Sequence, residues 1–223
     1  MQRFKVELLR VLLAIGPKTW RRIGIGFVAF VLPMIIFIGI ADEVLEKETI
    51  PADVVILHGA YRLSDPALDT FVVATTDIGY IWFVGLAALI ILLVCIRKKA
   101  YTSALIAVVS MAGSAAISVL LKLVFQRDRP ALWERLVTEN SYSFPSGHAM
   151  ASASLAGVII VLLWPTKYRY PALVGAGLYM LYVGFTRLYL GVHYPSDILA
   201  GWLVTGVWVA ITTYIITRLR RTS

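Results

Sequence analysis

Lys122, Arg129, Arg187, His148, His193 and Asp197 are the residue types that anion chemistry requires, gathered in the second half of one chain. Their obvious carboxylate neighbours in sequence are only Asp128 and Asp197, so the three cations have charge to spare. A phosphate ester carries about −1.5 to −2 charges and presents oxygens that match guanidinium forks. Ser146 and Gly147 follow Pro145 at a predicted helix start, where a hydroxyl and free backbone N–H groups face outward. Such a helix N-terminus is a natural phosphate site. Together Lys122, Arg129, Ser146, Gly147 and Arg187 form a cradle for a phosphoryl group and for the charge of its transition state.

Two histidines stand beside that cradle. His193 precedes Asp197 by four residues, a spacing that suits a nucleophile or base oriented by a carboxylate. His148 can protonate a departing oxygen as general acid, a step worth typically about 10²–10⁴-fold. No Cys/His cluster or group of carboxylates has metal-ligand spacing, so the expected chemistry uses no metal and no cofactor. The single cysteine, Cys95, lies inside an apolar run and reads as inert packing.

The elements that must position these groups are membrane helices. Hydrophobic residues make up 59% of the 223 positions and charged residues 15%, with a mean hydropathy of +0.80. A soluble domain is roughly 45–50% apolar and about 25% charged, so much of this surface must face lipid. A helix needs about 20 apolar residues to span a bilayer. Candidate spans run near Ile23–Ala41, Gly79–Ile96, Ala104–Phe125, Gly147–Trp164, Pro171–Leu190 and Ile198–Ile216. The expected fold is therefore all-α, a six-transmembrane-helix bundle occupying 23–223. It is preceded by a basic amphipathic segment, 1–22, suited to the membrane interface.

Lys and Arg at the span ends set the orientation. Arg21 and Arg22, Arg97 to Lys99, Lys167 and Arg169, and Arg218 to Arg221 all fall on one side, which is then the cytoplasm. The net charge of +8 is thereby explained by topology and does not call for nucleic acid as a partner. All six chemistry-bearing residues fall on the opposite side, at the outer ends of spans. Trp20, Trp82 and Trp164, near span ends, read as interface anchors, and His58 as an outer-loop residue.

These residues carry a resemblance. The stretch KLVFQRDRP from Lys122 to Pro130, PSGH from Pro145 to His148, and TRLYLGVHYPSD from Thr186 to Asp197 resemble the three motifs of the type 2 phosphatidic acid phosphatases. That family shares its site with vanadium haloperoxidases. Only Thr186 departs from the pattern, standing where the family has serine. The resemblance implies a phosphohistidine on His193, Asp197 orienting it and His148 as acid. It also implies phosphate contacts from Lys122, Arg129, Ser146, Gly147 and Arg187.

The expected activity is hydrolysis of a lipid phosphate or diphosphate at the non-cytoplasmic face of the cell membrane. Undecaprenyl diphosphate, phosphatidylglycerophosphate and phosphatidic acid are the substrates the resemblance suggests, and the lipid bilayer is the other partner. A phosphotransferase with an acceptor hydroxyl in place of water would use the same residues. A transporter would ask for a polar route across the bilayer, whereas these cations are confined to one face. The head group and the oligomeric state are not legible.

Overall fold

In the computed structural model, residues 24–48 and 50–222 are described, and every regular element among them is helical. The predicted interfacial segment 1–22 lies outside the described residues. Eight α-helices follow in order: α1 Gly24–Leu45, opening through a π-turn at Phe27–Val31; α2 Pro51–Tyr61 and α3 Pro66–Thr75; α4 Ile81–Arg97 and α5 Tyr101–Phe125; α6 Gly147–Leu163, α7 Arg169–Tyr189 and α8 Pro195–Thr222.

Four of these, α1, α5, α7 and α8, are long and apolar enough to cross a membrane. A fifth crossing arises if α3, the 3₁₀ turn Thr76–Gly79 and α4 act as one element bent by 43°. The remaining expected span, α6, has 17 residues, a helix of roughly 26 Å against a hydrocarbon core of about 30 Å. Its short length has a local cause: it starts at Gly147 inside the bundle, where His148 is already buried. The side chains of α1 support a lipid-facing surface, since Ile25, Val28 and Ile38 are each about 60% exposed (61%, 62% and 60%). Large apolar side chains exposed in a continuous band mark a surface that water does not cover. Trp82 at the start of α4 is 80% exposed, as an interface anchor would be. Cys95 is buried and free.

The stretch expected as an outer loop holds two short helices instead. Pro51 and Pro66 each occupy a first helical position, where the missing N–H is no loss and φ is already set. Asp65 caps α3 by accepting from the Ala67 N–H at 2.9 Å. Breaks on either side of α2 and α3 keep each apolar period too short to span by itself, and both helices pack against α7.

Helix α6 is packed against α5, α7 and α8 and is the axis of the half that carries the expected site residues. Its buried residues include Ala149, Ser152, Ala153 and Ala156, and small residues let membrane helices approach closely where lipid supplies no hydrophobic drive. Buried hydroxyls knit the same region: Ser114 of α5 lies 3.1 Å from Thr205 of α8. Since α5 and α7 end where α6 and α8 begin, two helix C-termini, two helix N-termini and their connections meet at one end of the bundle.

Candidate active site

Each expected site residue sits at one of those helix ends or in the connections between them. Lys122 is in the last turn of α5, and the helix stops at Gln126, whose φ of 45° is left-handed. The segment 126–146 then folds back over the site. Arg129 in this segment donates from Nε to the Ser141 carbonyl at 2.8 Å and from Nη1 to the Val192 carbonyl at 2.8 Å. Lys122 Nζ donates to Ser141 Oγ at 3.3 Å and to the Tyr142 carbonyl. Two of the three cations are thus held by backbone oxygens, which fix them without cancelling their charge.

Ser146 caps α6, its Oγ accepting from the Ala149 N–H at 3.4 Å, while its own N–H donates to the Asp197 carbonyl at 3.1 Å. The starts of α6 and α8 are therefore stitched together. Gly147 borders the cavity, and a Cβ there would lie 3.7 Å from Ser118 Oγ and 3.9 Å from Lys122 Cε. The protein would tolerate that atom, but it would fill space beside Lys122 that the glycine leaves open.

His193 lies in the turn between α7 and α8, which Gly191 makes possible. Gly191 has φ +66°, and a Cβ there would come within 2.8 Å of Trp133, so both conformation and space demand glycine. Trp133, in the 126–146 segment, stacks on Tyr61 of α2 at 4.4 Å and also meets His58 at 6.1 Å. The outer-loop histidine thus helps to pin the segment that carries Arg129.

The imidazole of His193 is 1% exposed. Its Nδ1 is 3.3 Å from Asp197 Oδ2, and its Nε2 is 3.1 Å from Arg129 Nη1. Arginine can only donate, so Nε2 must carry the lone pair and Nδ1 the proton, which points to Asp197. This is the tautomer a nucleophilic Nε2 needs. Burial, and then the positive charges of Arg129, Arg187 and Lys122, hold its pKa well below the ordinary histidine value. Neutral His193 is the resting state.

His148, at the second position of α6, shares the cavity wall with His193. Its ring packs 5.3 Å from that of Tyr80, and its buried Nε2 has no partner among the described residues. Gly79 keeps this corner close, since a Cβ there would fall 2.5 Å from Val183 Cγ1.

Arg187, 1% exposed in the last turn of α7, donates from Nη1 to Thr76 Oγ1 at 2.9 Å and from Nη2 to Glu139 Oε1. The other Glu139 oxygen is 3.6 Å from Arg129 Nη2. This corrects the expectation that the cations lack carboxylate partners apart from Asp128 and Asp197. The Glu139 carboxylate bridges two of the three. Thr186, the departure from the serine pattern, is fully buried, donates to the Val183 carbonyl at 2.8 Å and lies 3.0 Å from Thr76 Oγ1. A hydroxyl in this place serves the same bonds whether it comes from threonine or serine.

Sequence reading also missed Asp53 and Arg127. Arg127 Nη1 donates to Asp197 Oδ1 at 2.6 Å and Nη2 to Asp53 Oδ2 at 3.0 Å. Asp53 sits 74 residues earlier in the chain, near the start of α2. No local spacing ties it to the motif residues.

A cavity of about 540 Å³ opens from these groups. Lys122, Arg129, Gly147, His148 and His193 line its polar end, and Val84, Ala88, Met111, Ala115, Val119 and Ala151 its apolar remainder between α4, α5 and α6. The model of the PAP2 superfamily matches residues 103–221, which span every one of the paired site residues except Asp53 and Thr76. The chain belongs to the PAP2 superfamily.

PAP2 relatives agree in sequence and fold. Phosphatidylglycerophosphatase B of Bacillus subtilis is 38% identical over 90 residues, 38% of this chain and 44% of the relative. Undecaprenyl-diphosphatase of Sulfolobus acidocaldarius is 38% identical over 69 residues, 31% of each chain. The matched stretches thus span less than half the length of these curated relatives. The crystal structure of a transmembrane PAP2 type phosphatidylglycerolphosphate phosphatase from Bacillus subtilis superposes with a TM-score of 0.71 at 25% identity, covering 85% of this chain and 96% of that one.

Proposed function

We propose that this protein is an integral membrane phosphatase that hydrolyses a lipid phosphate monoester or diphosphate through a phosphohistidine on His193, without a metal. One observation carries the lipid half of this reading. The cavity that ends at the two histidines is apolar over most of its length and lies between the apolar helices α4, α5 and α6. A water-soluble phosphate ester would gain nothing from that wall, whereas a lipid chain would remove it from water.

In the proposed reaction Nε2 of His193 attacks phosphorus as the P–O bond to the lipid breaks. His148 gives a proton to the leaving oxygen. Water then attacks the phosphohistidine while His148 accepts its proton, releasing phosphate and restoring neutral His193. Lys122, Arg129 and Arg187 stabilise the charge on the equatorial oxygens, and Asp197 stabilises the imidazolium. Three fixed cations supply the neutralisation that a metal ion would otherwise provide.

The names of the relatives nominate phosphatidylglycerophosphate and undecaprenyl diphosphate as substrates, with phosphatidic acid beside them. Purified protein assayed on these three lipids should release phosphate from at least one, persist in EDTA and be inhibited by vanadate. Inertness on all three, or loss in EDTA restored by a divalent ion, would overturn the reading. Lys and Arg distribution favours six crossings and a site outside the cytoplasm. Cysteines introduced at Thr138 and at Lys98 in a Cys95→Ser background test that part. An impermeant thiol reagent on intact cells should label the first and spare the second; the reverse result would put the site in the cytoplasm.

A further inference from the structure

The buried groups behind His193 extend well past Asp197. Asp197 Oδ2 faces His193 and also accepts the Tyr194 N–H at 2.9 Å, so its other oxygen is left for Arg127. Arg127 Nη1 serves Asp197 Oδ1 and also Ser196 Oγ at 2.8 Å, while Nη2 turns to Asp53. The guanidinium is stacked as well, 4.0 Å over the ring of Tyr194. Asp53 uses both oxygens: Oδ1 accepts the Ser196 N–H at 2.8 Å, and Oδ2 accepts from Arg127 and from the Ser196 hydroxyl. It is 2% exposed and so has traded all its water for these bonds.

Two features of this arrangement bear on catalysis. Ser196 is the second residue of α8, so its N–H is one of the donors a helix start leaves unpaired. Asp53 therefore caps, from a distant helix, the turn that carries Asp197. Charge is the other feature. When Nε2 forms its bond to phosphorus, His193 becomes cationic and needs a net negative charge behind it. Arg127 alone would neutralise Asp197 and leave nothing for the imidazolium. One cation between two carboxylates leaves one negative charge, and it is Asp53 that restores it.

We propose that Asp53 and Arg127 are positioning residues for the nucleophile: Asp53 caps the start of α8 and balances Arg127, so that Asp197 keeps both its aim and its charge toward His193. This rests on the phosphatase reading above. Asp53 lies outside residues 103–221, the part of the chain that matches the family model, and does not line the cavity. A role in binding substrate is thus separable from a role in the chemical step.

The test uses full-length protein and whichever of the three lipids the wild type turns over fastest. Asp53→Asn keeps the size and removes the charge. It should lower kcat by roughly 10- to 100-fold, the range typical of groups that orient a reacting residue from behind. KM and the inhibition constant of inorganic phosphate should stay within about threefold, because Lys122, Arg129 and Arg187 are untouched. Formation of labelled phosphoenzyme in a single turnover should slow by the same factor as kcat. Arg127→Lys, measured in parallel, should also lower kcat with KM held, since an ammonium cannot bridge both carboxylates as a planar fork does.

Wild-type kcat in Asp53→Asn would overturn the proposal. So would a raised KM with kcat unchanged, or a loss that is fully accounted for by the folded fraction in a thermal melt while Arg127→Lys is as active as wild type. Wild-type protein inert on every lipid would instead defeat the phosphatase reading, and this inference with it.

Discussion

The two histidines of the site stand in opposite kinds of surroundings. Around His193 every polar group is engaged: Nδ1 with Asp197, Nε2 with Arg129, and Asp197 in turn with Arg127 and the Tyr194 N–H. Around His148 and Arg187 the bonding is incomplete, since His148 Nε2 and Arg187 Nε are buried with no partner among the described residues. A buried polar atom left unpaired costs roughly 1–3 kcal/mol, so the incomplete half is held at some expense by the packing around it. The difference teaches which half must be rigid and which must receive. A nucleophile needs a fixed tautomer and direction before substrate arrives. An acid that protonates a leaving oxygen must keep its bonding position open for that oxygen.

The strongest way to break the comparison is to remove each histidine. His193→Ala should abolish turnover and phosphoenzyme together, because its Nε2 is the proposed nucleophile and His148, the other histidine on the cavity wall, has no carboxylate partner to orient it among the described residues. His148→Ala should cost about 10²–10⁴-fold on a lipid alcohol leaving group. With a good leaving group, such as a nitrophenyl phosphate, the same variant should still form phosphoenzyme and then release it slowly, since the water step lacks its base. Rapid quenching with labelled substrate separates these outcomes. Label on the His193→Ala protein, with none on the His148→Ala protein, would exchange the two roles.

Sequence legibility follows the same division. The motif residues were readable because short spacings place them at or beside helix ends: Lys122 and Arg129 across one C-terminus, Ser146 and His148 at one N-terminus, and His193 and Asp197 within one turn. The second layer was not. Asp53 meets Ser196 across 143 positions and Arg187 meets Thr76 across 111, and no local period encodes such pairings. Glu139 was unreadable for another reason. It lies in a segment without regular structure, so nothing in its neighbours says which way it turns. Among the spans, the long apolar helices α1, α5, α7 and α8 agree with the hydropathy reading. Helix α6 also begins at Gly147 as expected, whereas the 43° bend that joins α3 to α4 is a feature hydropathy does not register.

A milder perturbation is pH. His193 has its pKa lowered in the folded protein by burial first and by Arg129, Arg187 and Lys122 next. A lowered pKa means that the neutral, nucleophilic form survives to more acid solution than a free histidine would allow. The acid limb of kcat/KM should accordingly lie well below about pH 6.5, once the profile is corrected for the second ionisation of the lipid phosphate near about pH 6. Folding carries the same sign. The unfolded chain takes up a proton on this histidine as pH falls through about 6.5 and the folded chain does not. This residue's share of stability is therefore complete above that pH and is lost as pH falls toward the lowered value. An acid limb at or above pH 6.5 after correction would mean that His193 is not the group being titrated.

The smallest expected effect lies at Glu139, where the open half of the site is temporarily closed. Its carboxylate touches Arg187 through one oxygen and approaches Arg129 at 3.6 Å through the other, so an arriving phosphoryl group must take over both cations. Glu139→Gln keeps the shape and removes the charge. Two terms oppose each other. A charge at about 4 Å in a site of effective dielectric about 20 is worth roughly 4 kcal/mol, which the variant removes from phosphate's competition. Against this, Glu139 aims Arg187, and a charged hydrogen bond of that sort is worth about 1.5–3 kcal/mol. The residue is 21% exposed at its side chain while Arg187 is 1%, so on displacement Glu139 can turn to water and recover much of its solvation. That exit reduces the first term without reversing it. The inhibition constant of inorganic phosphate should fall by a modest factor, about three- to tenfold, with kcat changed less. A raised inhibition constant would assign Glu139 to holding Arg187 in place during catalysis, and the open half of the site would then be as fully built as the half around His193.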